Sequence, residues 1–79
     1  MSWGFKYEYQ GSLYEGGWEM NHGMICLYYG QQCAFTTCGD SLAENERNRD
    51  NAMHQLLVLE GLAEPIPGQV NVPIKLGWN

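Results

Sequence analysis

The chain has 79 residues, 44% of them hydrophobic and 13% aromatic, and a formal net charge of −5 from nine acidic and four basic side chains. That length makes one domain, residues 1–79, with a small core, since a chain of this size buries only about 60% of its unfolded surface. The four cations, Lys6, Arg47, Arg49 and Lys75, form no basic patch. Direct nucleic-acid binding needs phosphate neutralisation and is argued against, whereas a basic protein partner is favoured by steering. Met1–Lys6 lacks the basic and apolar regions of a signal peptide, and no run of about 18 apolar residues could span a membrane.

In chain order, Trp3, Phe5, Tyr7 and Tyr9 alternate with Gly4, Lys6, Glu8 and Gln10, a period of two with aromatic residues that predicts a strand. Gly11-Ser12 reads as a turn. Leu13-Tyr14-Glu15 leads to Gly16-Gly17, a turn or bulge, and Trp18-Glu19-Met20 continues as a second strand. Asn21-His22-Gly23 is a tight turn, since Asn and Gly tolerate positive φ. Met24 to Tyr29 is apolar on both faces and belongs at the centre of the sheet. Gly30-Gln31-Gln32 turns the chain into a fourth strand, Cys33 to Cys38, rich in β-formers.

Gly39-Asp40 ends the sheet. Ser41 and Glu44 then form a capping box, and Gly61 stands where a helix C′ glycine belongs, with Leu62 placed to reach back to Leu57. A helix over 42–60 would run about 28 Å, against about 20 Å for a strand of six residues. Ala52, Met53, Leu56, Leu57 and Leu59 anchor its second half, and its polar first half is expected to overhang the sheet or skim its surface. Residues 65–79, with Pro65, Pro67 and Pro73, form an edge strand or a tail over the sheet. The fold class is therefore α+β: an antiparallel sheet of three to five strands on one helix in the C-terminal half, in the order β-β-β-β-α-(β). The second face of the sheet is only partly polar. Either the tail or another copy of the protein, as a homodimer, is expected to cover it.

Candidate chemistry is sparse. His22, Cys26, Cys33 and Cys38 supply four zinc-ligand types, but no Cys-x-x-Cys knuckle, and parity puts Cys33 opposite Cys26 and Cys38. Three cysteines without a secretion signal point instead to reduced thiols in the cytoplasm. Cys38, near the helix N-terminus, could carry a stabilised thiolate with His22 at the same end of the sheet, but a nucleophile also needs an oriented base, an oxyanion site and a concave pocket, and a sheet with one helix offers little concavity. No metal, cofactor or catalytic residue is assigned. The aromatic row Trp3, Phe5, Tyr7 and Tyr9 suits a core or dimer face better than base stacking, which works with a positive groove.

Capping and the helix dipole account for Ser41 and Glu44. They leave Glu46, Arg47, Arg49 and Asp50 unexplained. The candidate partner-binding set is thus Asp40, Glu44, Glu46, Arg47, Arg49 and Asp50 on the helix, with Glu15, Trp18 and Glu19 on the second strand. There Trp18 would be the exposed anchor. In size and acidity the chain resembles small phage-encoded anti-defence proteins such as anti-CRISPRs, with no motif in common. That resemblance implies a non-enzymatic inhibitor in the host cytoplasm, blocking a nucleic-acid-binding surface of an effector complex. The alternatives are a small Cys/His zinc or thiol protein and a structural homodimeric accessory protein.

Overall fold

The computed structural model describes residues 2–78. Five strands form one sheet in the order β1-β2-β3-β4-β5, every neighbouring pair antiparallel. They are β1 Trp3–Tyr9, β2 Ser12–Asn21, β3 Met24–Tyr29, β4 Gln32–Thr37 and β5 Lys75–Trp78, with one helix, α1 Leu42–Leu59, between β4 and β5. The α+β class is as expected, and the strand count is the upper end of the expected range.

Two-residue turns join the first four strands. Gln10 and Gly11 both take positive φ, as do His22 and Gly23. That backbone twist matches the right-handed twist of the strands it joins. The first turn falls one residue earlier than read, because Ser12 already pairs with Tyr9. Gly16-Gly17 is neither a turn nor a bulge, since the register of β1 with β2 runs unbroken past both. Gly16 lies opposite Phe5, and a Cβ there would come within 2.7 Å of the Tyr28 carbonyl oxygen and 3.1 Å of the Phe5 ring. The missing side chain admits the ring and the neighbouring backbone.

Directly opposed residues in antiparallel strands share a face. Trp3, Phe5, Tyr7, Tyr14, Trp18, Ile25, Leu27 and Ala34 therefore lie together beneath α1. Buried Phe5, Trp18, Ile25, Leu27 and Ala34 meet Ala52, Met53, Leu56 and Leu57 of the helix in one core. The aromatic row of β1 is thus a core face. Leu59, expected as an anchor, is 62% exposed, because two residues beyond Leu57 is about 200° around the helix.

The C-terminal cap is built as expected, and at the N-terminus Glu44 reaches back one residue past the Ser41 amide that a capping box would use. Ser41 Oγ accepts from the Glu44 amide at 3.1 Å, and the Glu44 carboxylate accepts from the Asp40 amide at 2.9 Å. At the other end Gly61 has φ 76°, its amide donates to Val58 O, and the Leu62 amide donates to Leu57 O at 2.9 Å. This is a Schellman pattern.

The segment after the helix does not cover the second face of the sheet. Residues 62–74 form a strap across the solvent side of α1. Its Glu64 carbonyl is held by His54, its Val70 and Val72 by Asn51 and Gln55, and its Pro73 carbonyl by Thr36 Oγ1 at 2.8 Å. Only then does the chain join the sheet, as β5. Val70–Ile74, read as part of a strand, belong to the strap, and Pro73 stands just before the ladder begins, where its missing N–H costs nothing.

Candidate functional site

The first half of α1 neither overhangs nor skims. It is docked by polar side chains, and this overturns the overhang expected from its charge. Asn45 is 9% exposed; its Oδ1 accepts from the Gly39 amide at 2.6 Å and its Nδ2 donates to Met20 Sδ at 3.2 Å. Asn48 donates to the Thr37 carbonyl. Arg49 lays its guanidinium over the Phe5 ring at 4.5 Å and the Trp18 ring at 4.9 Å, while its Nε donates to Asp50 Oδ1 at 3.0 Å. A guanidinium is planar and weakly hydrated, so it can roof an aromatic core where a lysine ammonium cannot.

That docking divides the expected partner-binding set. Trp18 is 5% exposed, roofed by Arg49, and is not a surface anchor; the short strand expected at 18–20 is the C-terminal end of a ten-residue strand. Arg49 and Asp50 are engaged with each other, and Glu44 with the cap. Glu15 and Glu19 lie on the opposite face of the sheet from α1, so the structure does not bring them together with the helix acids. Asp40, Glu46 and Arg47 remain exposed at the helix. Three large apolar side chains are exposed as well: Trp3 (46%), Met20 (38%) and Leu42 (61%). Leu42 lies one turn before Asn45, which touches Met20, and Trp3 packs against Trp18 with ring centroids 5.3 Å apart. Leu42 is one helical turn before exposed Glu46, and Met20 and Trp3 lie against side chains of this half of the helix or their ring partner.

A second apolar surface lies at the other end of the helix, where no site was read from the sequence. Between the last turns of α1, the strap and β5 is a groove of about 300 Å³ lined by Val58, Leu59, Pro65, Ile66, Ile74 and Leu76, with His54, Gln55 and Asn71 at its polar wall. Leu59, Ile66, Leu76 and Trp78 are all well exposed, Trp78 at 79%. The alternation of Val70, Val72, Ile74 and Leu76 is visible in the sequence, but not that Ile74 and Leu76 line a groove beside the last turns of the helix.

His54 holds the strap in place. It is 2% exposed, with Nε2 at 2.7 Å from the Glu64 carbonyl and Nδ1 at 2.8 Å from the Tyr7 hydroxyl. A carbonyl only accepts, so Nε2 carries a hydrogen, and in the neutral ring the Tyr7 hydroxyl donates to Nδ1. The rings of Tyr7 and Tyr9 meet the imidazole edge-on, and burial, aided by the charge of Asp50, raises the Tyr7 phenol pKa.

The second face of the sheet carries Cys26 and Cys33 together. Tyr28 pairs with Cys33 and Cys26 with Phe35, so the two thiols share a face, contrary to the parity reading; the two-residue turn at Gly30 reverses it. Cys38 instead packs against the core beneath the helix, and His22 sits in the β2–β3 turn. Among the described residues no group of three or more His, Cys, Asp or Glu could hold a metal ion. Burial raises the Cys26 thiol pKa above its ordinary value, with Glu19 and Cys33 adding to the effect. Tyr28 donates to Glu19 Oε1 at 2.7 Å, and this hydrogen bond pushes its phenol up to about 12. No helix among the described residues is long and apolar enough to cross a membrane. Comparison with known proteins finds no matching family model, no matching curated protein and no matching solved structure.

Proposed function

We propose that this chain is a small, non-enzymatic inhibitor that binds another protein and occupies its basic, nucleic-acid-binding surface. One observation carries the reading. Exposed Glu46 follows exposed Leu42 by one helical turn, in the half of α1 whose Asn45 touches Met20 and whose Arg49 covers Trp18, the ring against which Trp3 packs; Leu42, Met20 and Trp3 are large apolar side chains that the core leaves partly in water. Apolar anchors beside a carboxylate are the material of a protein interface whose partner is cationic. The net charge of −5 would steer such a partner from a distance. The contact would be polarised. Glu46 and Asp40 meet lysine or arginine side chains that otherwise hold phosphates, and Leu42, Met20 and Trp3 exclude water around them.

By its likeness in size and charge to anti-defence proteins, the first partners to test are CRISPR effector complexes. The purified protein is added to an effector and its labelled target DNA, and DNA binding is followed by mobility shift. The wild type abolishes the shift. Glu46→Lys restores it while keeping the native circular dichroism, because Glu46 is exposed and has no role in capping or docking the helix. DNA binding unchanged by excess wild-type protein across the effector types overturns the proposal for this partner class. Inhibition unaffected by Glu46→Lys and Leu42→Ala together removes this edge of the helix from the interface.

A further inference from the structure

The face of the sheet turned away from α1 has no element over it among the described residues, because both the helix and the strap lie on the other side. The register lays this face out in rows that cross the strands. One row runs Glu19, Cys26, Phe35, Lys75 over β2, β3, β4 and β5, and the next runs Gly17, Tyr28, Cys33, Gly77. On β3 and β4 every residue of this face is uncharged. Tyr28 and Phe35 stay partly in water, while their smaller partners Cys33 and Cys26 are buried.

Charge separates this face from the rest of the molecule. It holds Lys6 and Lys75 against Glu8, Glu15 and Glu19, a net charge of −1 out of −5 for the chain, and Lys6 already pairs with Glu15 at 3.8 Å. The remaining carboxylates belong to α1 and the segments on either side of it. A strongly basic partner has little to meet here, and two copies can approach through this face with most of their charge turned outward.

The rows are also complementary to themselves. Two sheets pack face to face about 10 Å apart with their strands within about 30°. A two-fold axis parallel to the strands, midway between β3 and β4, sets β3 of one copy over β4 of the other and β2 over β5. Each row then meets its own reverse. Phe35 faces Cys26 and Tyr28 faces Cys33, a large ring on a small thiol in both cases; Gly17 faces Gly77, and Lys75 faces Glu19. Glu19 accepts from Tyr28, and a carboxylate has capacity for a further donor. A foreign protein would have to supply this pattern; a second copy already carries it.

We infer that this face is the interface of a homodimer, packed through β3 and β4 and closed on each side by Lys75 of one copy against Glu19 of the other. The exposed edge of α1 points outward in both copies, so this inference and the proposed inhibition can fail separately.

Sedimentation over a dilution series measures the mass, and amide chemical shifts at the same concentrations locate the contact. Twice the mass of the chain is expected, with concentration-dependent shifts centred on Cys26, Tyr28, Cys33 and Phe35. Lys75→Glu, at an exposed position, should keep the native circular dichroism and weaken association by about tenfold or more, because it sets like charges opposite each other. Lys75→Glu combined with Glu19→Lys exchanges the two charges and should regain most of the affinity. A monomer at every concentration up to about 1 mM overturns the inference. So do a dimer whose shifts centre on Leu76–Trp78 or on Trp3, Met20 and Leu42, association of Lys75→Glu equal to wild type, and a double variant no tighter than the single one.

Discussion

Removing the Arg49 guanidinium tests whether the charged half of α1 is solvated or structural. The side chain is 12% exposed and contacts two core rings, Phe5 and Trp18. A cation over an aromatic ring is worth about 0.5–1 kcal/mol in the open and about 2 kcal/mol or more when desolvated. One cation shared by two rings will not deliver that twice, so about 2 kcal/mol is assigned to the pair of contacts. The Asp50 partner is 42% exposed, which discounts the ion pair to about 0–1 kcal/mol. Loss of the aliphatic stem, which shields Phe5 and Trp18 from water, adds about 1 kcal/mol. Arg49→Ala should therefore cost about 3 kcal/mol, a large part of the 5–15 kcal/mol or so that holds a typical domain together. At about 4–8 °C per kcal/mol for a domain of this size, the melting temperature falls by more than about 10 °C. Arg49→Lys keeps the charge but not the planar face and should lose about half as much. Arg49→Met refills the volume without a charge and should lie closer to the wild type than Arg49→Ala. Urea denaturation followed by tryptophan fluorescence reads all three, with Trp18 reporting the site itself. An Arg49→Ala midpoint within about 0.5 kcal/mol of wild type would refute the argument and return this half of the helix to solvent.

Asn51→Ala deletes the side chain that accepts from the Val72 amide and donates to the Val70 carbonyl, and should cost about 1–3 kcal/mol, with hydrogen exchange accelerated first at Val72. Gly16→Ala places a methyl 2.7 Å from the Tyr28 carbonyl, which must move, so a loss of about 1–3 kcal/mol is expected in thermal melts. The Tyr28 phenol, raised to about 12 by its bond to Glu19, stabilises the fold fully below pH 10, the ordinary tyrosine value. That contribution is lost as pH rises through 12, because the unfolded chain ionises first. Ultraviolet titration should show a late-ionising tyrosine that Glu19→Ala moves back toward the ordinary range; an unchanged titration would break the link to Glu19.

The sheet was readable because its signals are local. Period-two aromatics in β1, turn residues at Asn21-His22-Gly23 and Gly30, and the Ser41 and Gly61 caps each act within a few residues. What was misread depends on partners distant in sequence. Gly16-Gly17 resembles a turn until Phe5 is known to lie opposite Gly16. Cys33 changes face because a two-residue turn shifts parity across the hairpin. The strap was read as a tail because nothing local says that Asn51, His54 and Gln55 will bind its backbone 10 to 21 residues on.

The same physics explains why the candidate surface was only half legible. Hydrophobic periodicity identifies what a helix buries through carbon, and α1 buries its second half that way, through Met53, Leu56 and Leu57. Its first half is seated by Asn45, Asn48 and Arg49, side chains whose polarity in the sequence reads as exposure. Asparagine amides and a guanidinium satisfy the loop amide of Gly39, the carbonyl of Thr37 and the faces of two rings, none of which a leucine could serve. Three of the charges that looked available to a partner, Glu44, Arg49 and Asp50, are therefore committed within the molecule. Of the helix charges, Glu46, Arg47 and Asp40 remain exposed, as do the apolar side chains of Leu42, Met20 and Trp3. A charge reversal spread over Glu44, Glu46 and Asp50 would confound unfolding with lost binding; Glu46→Lys alone separates the two.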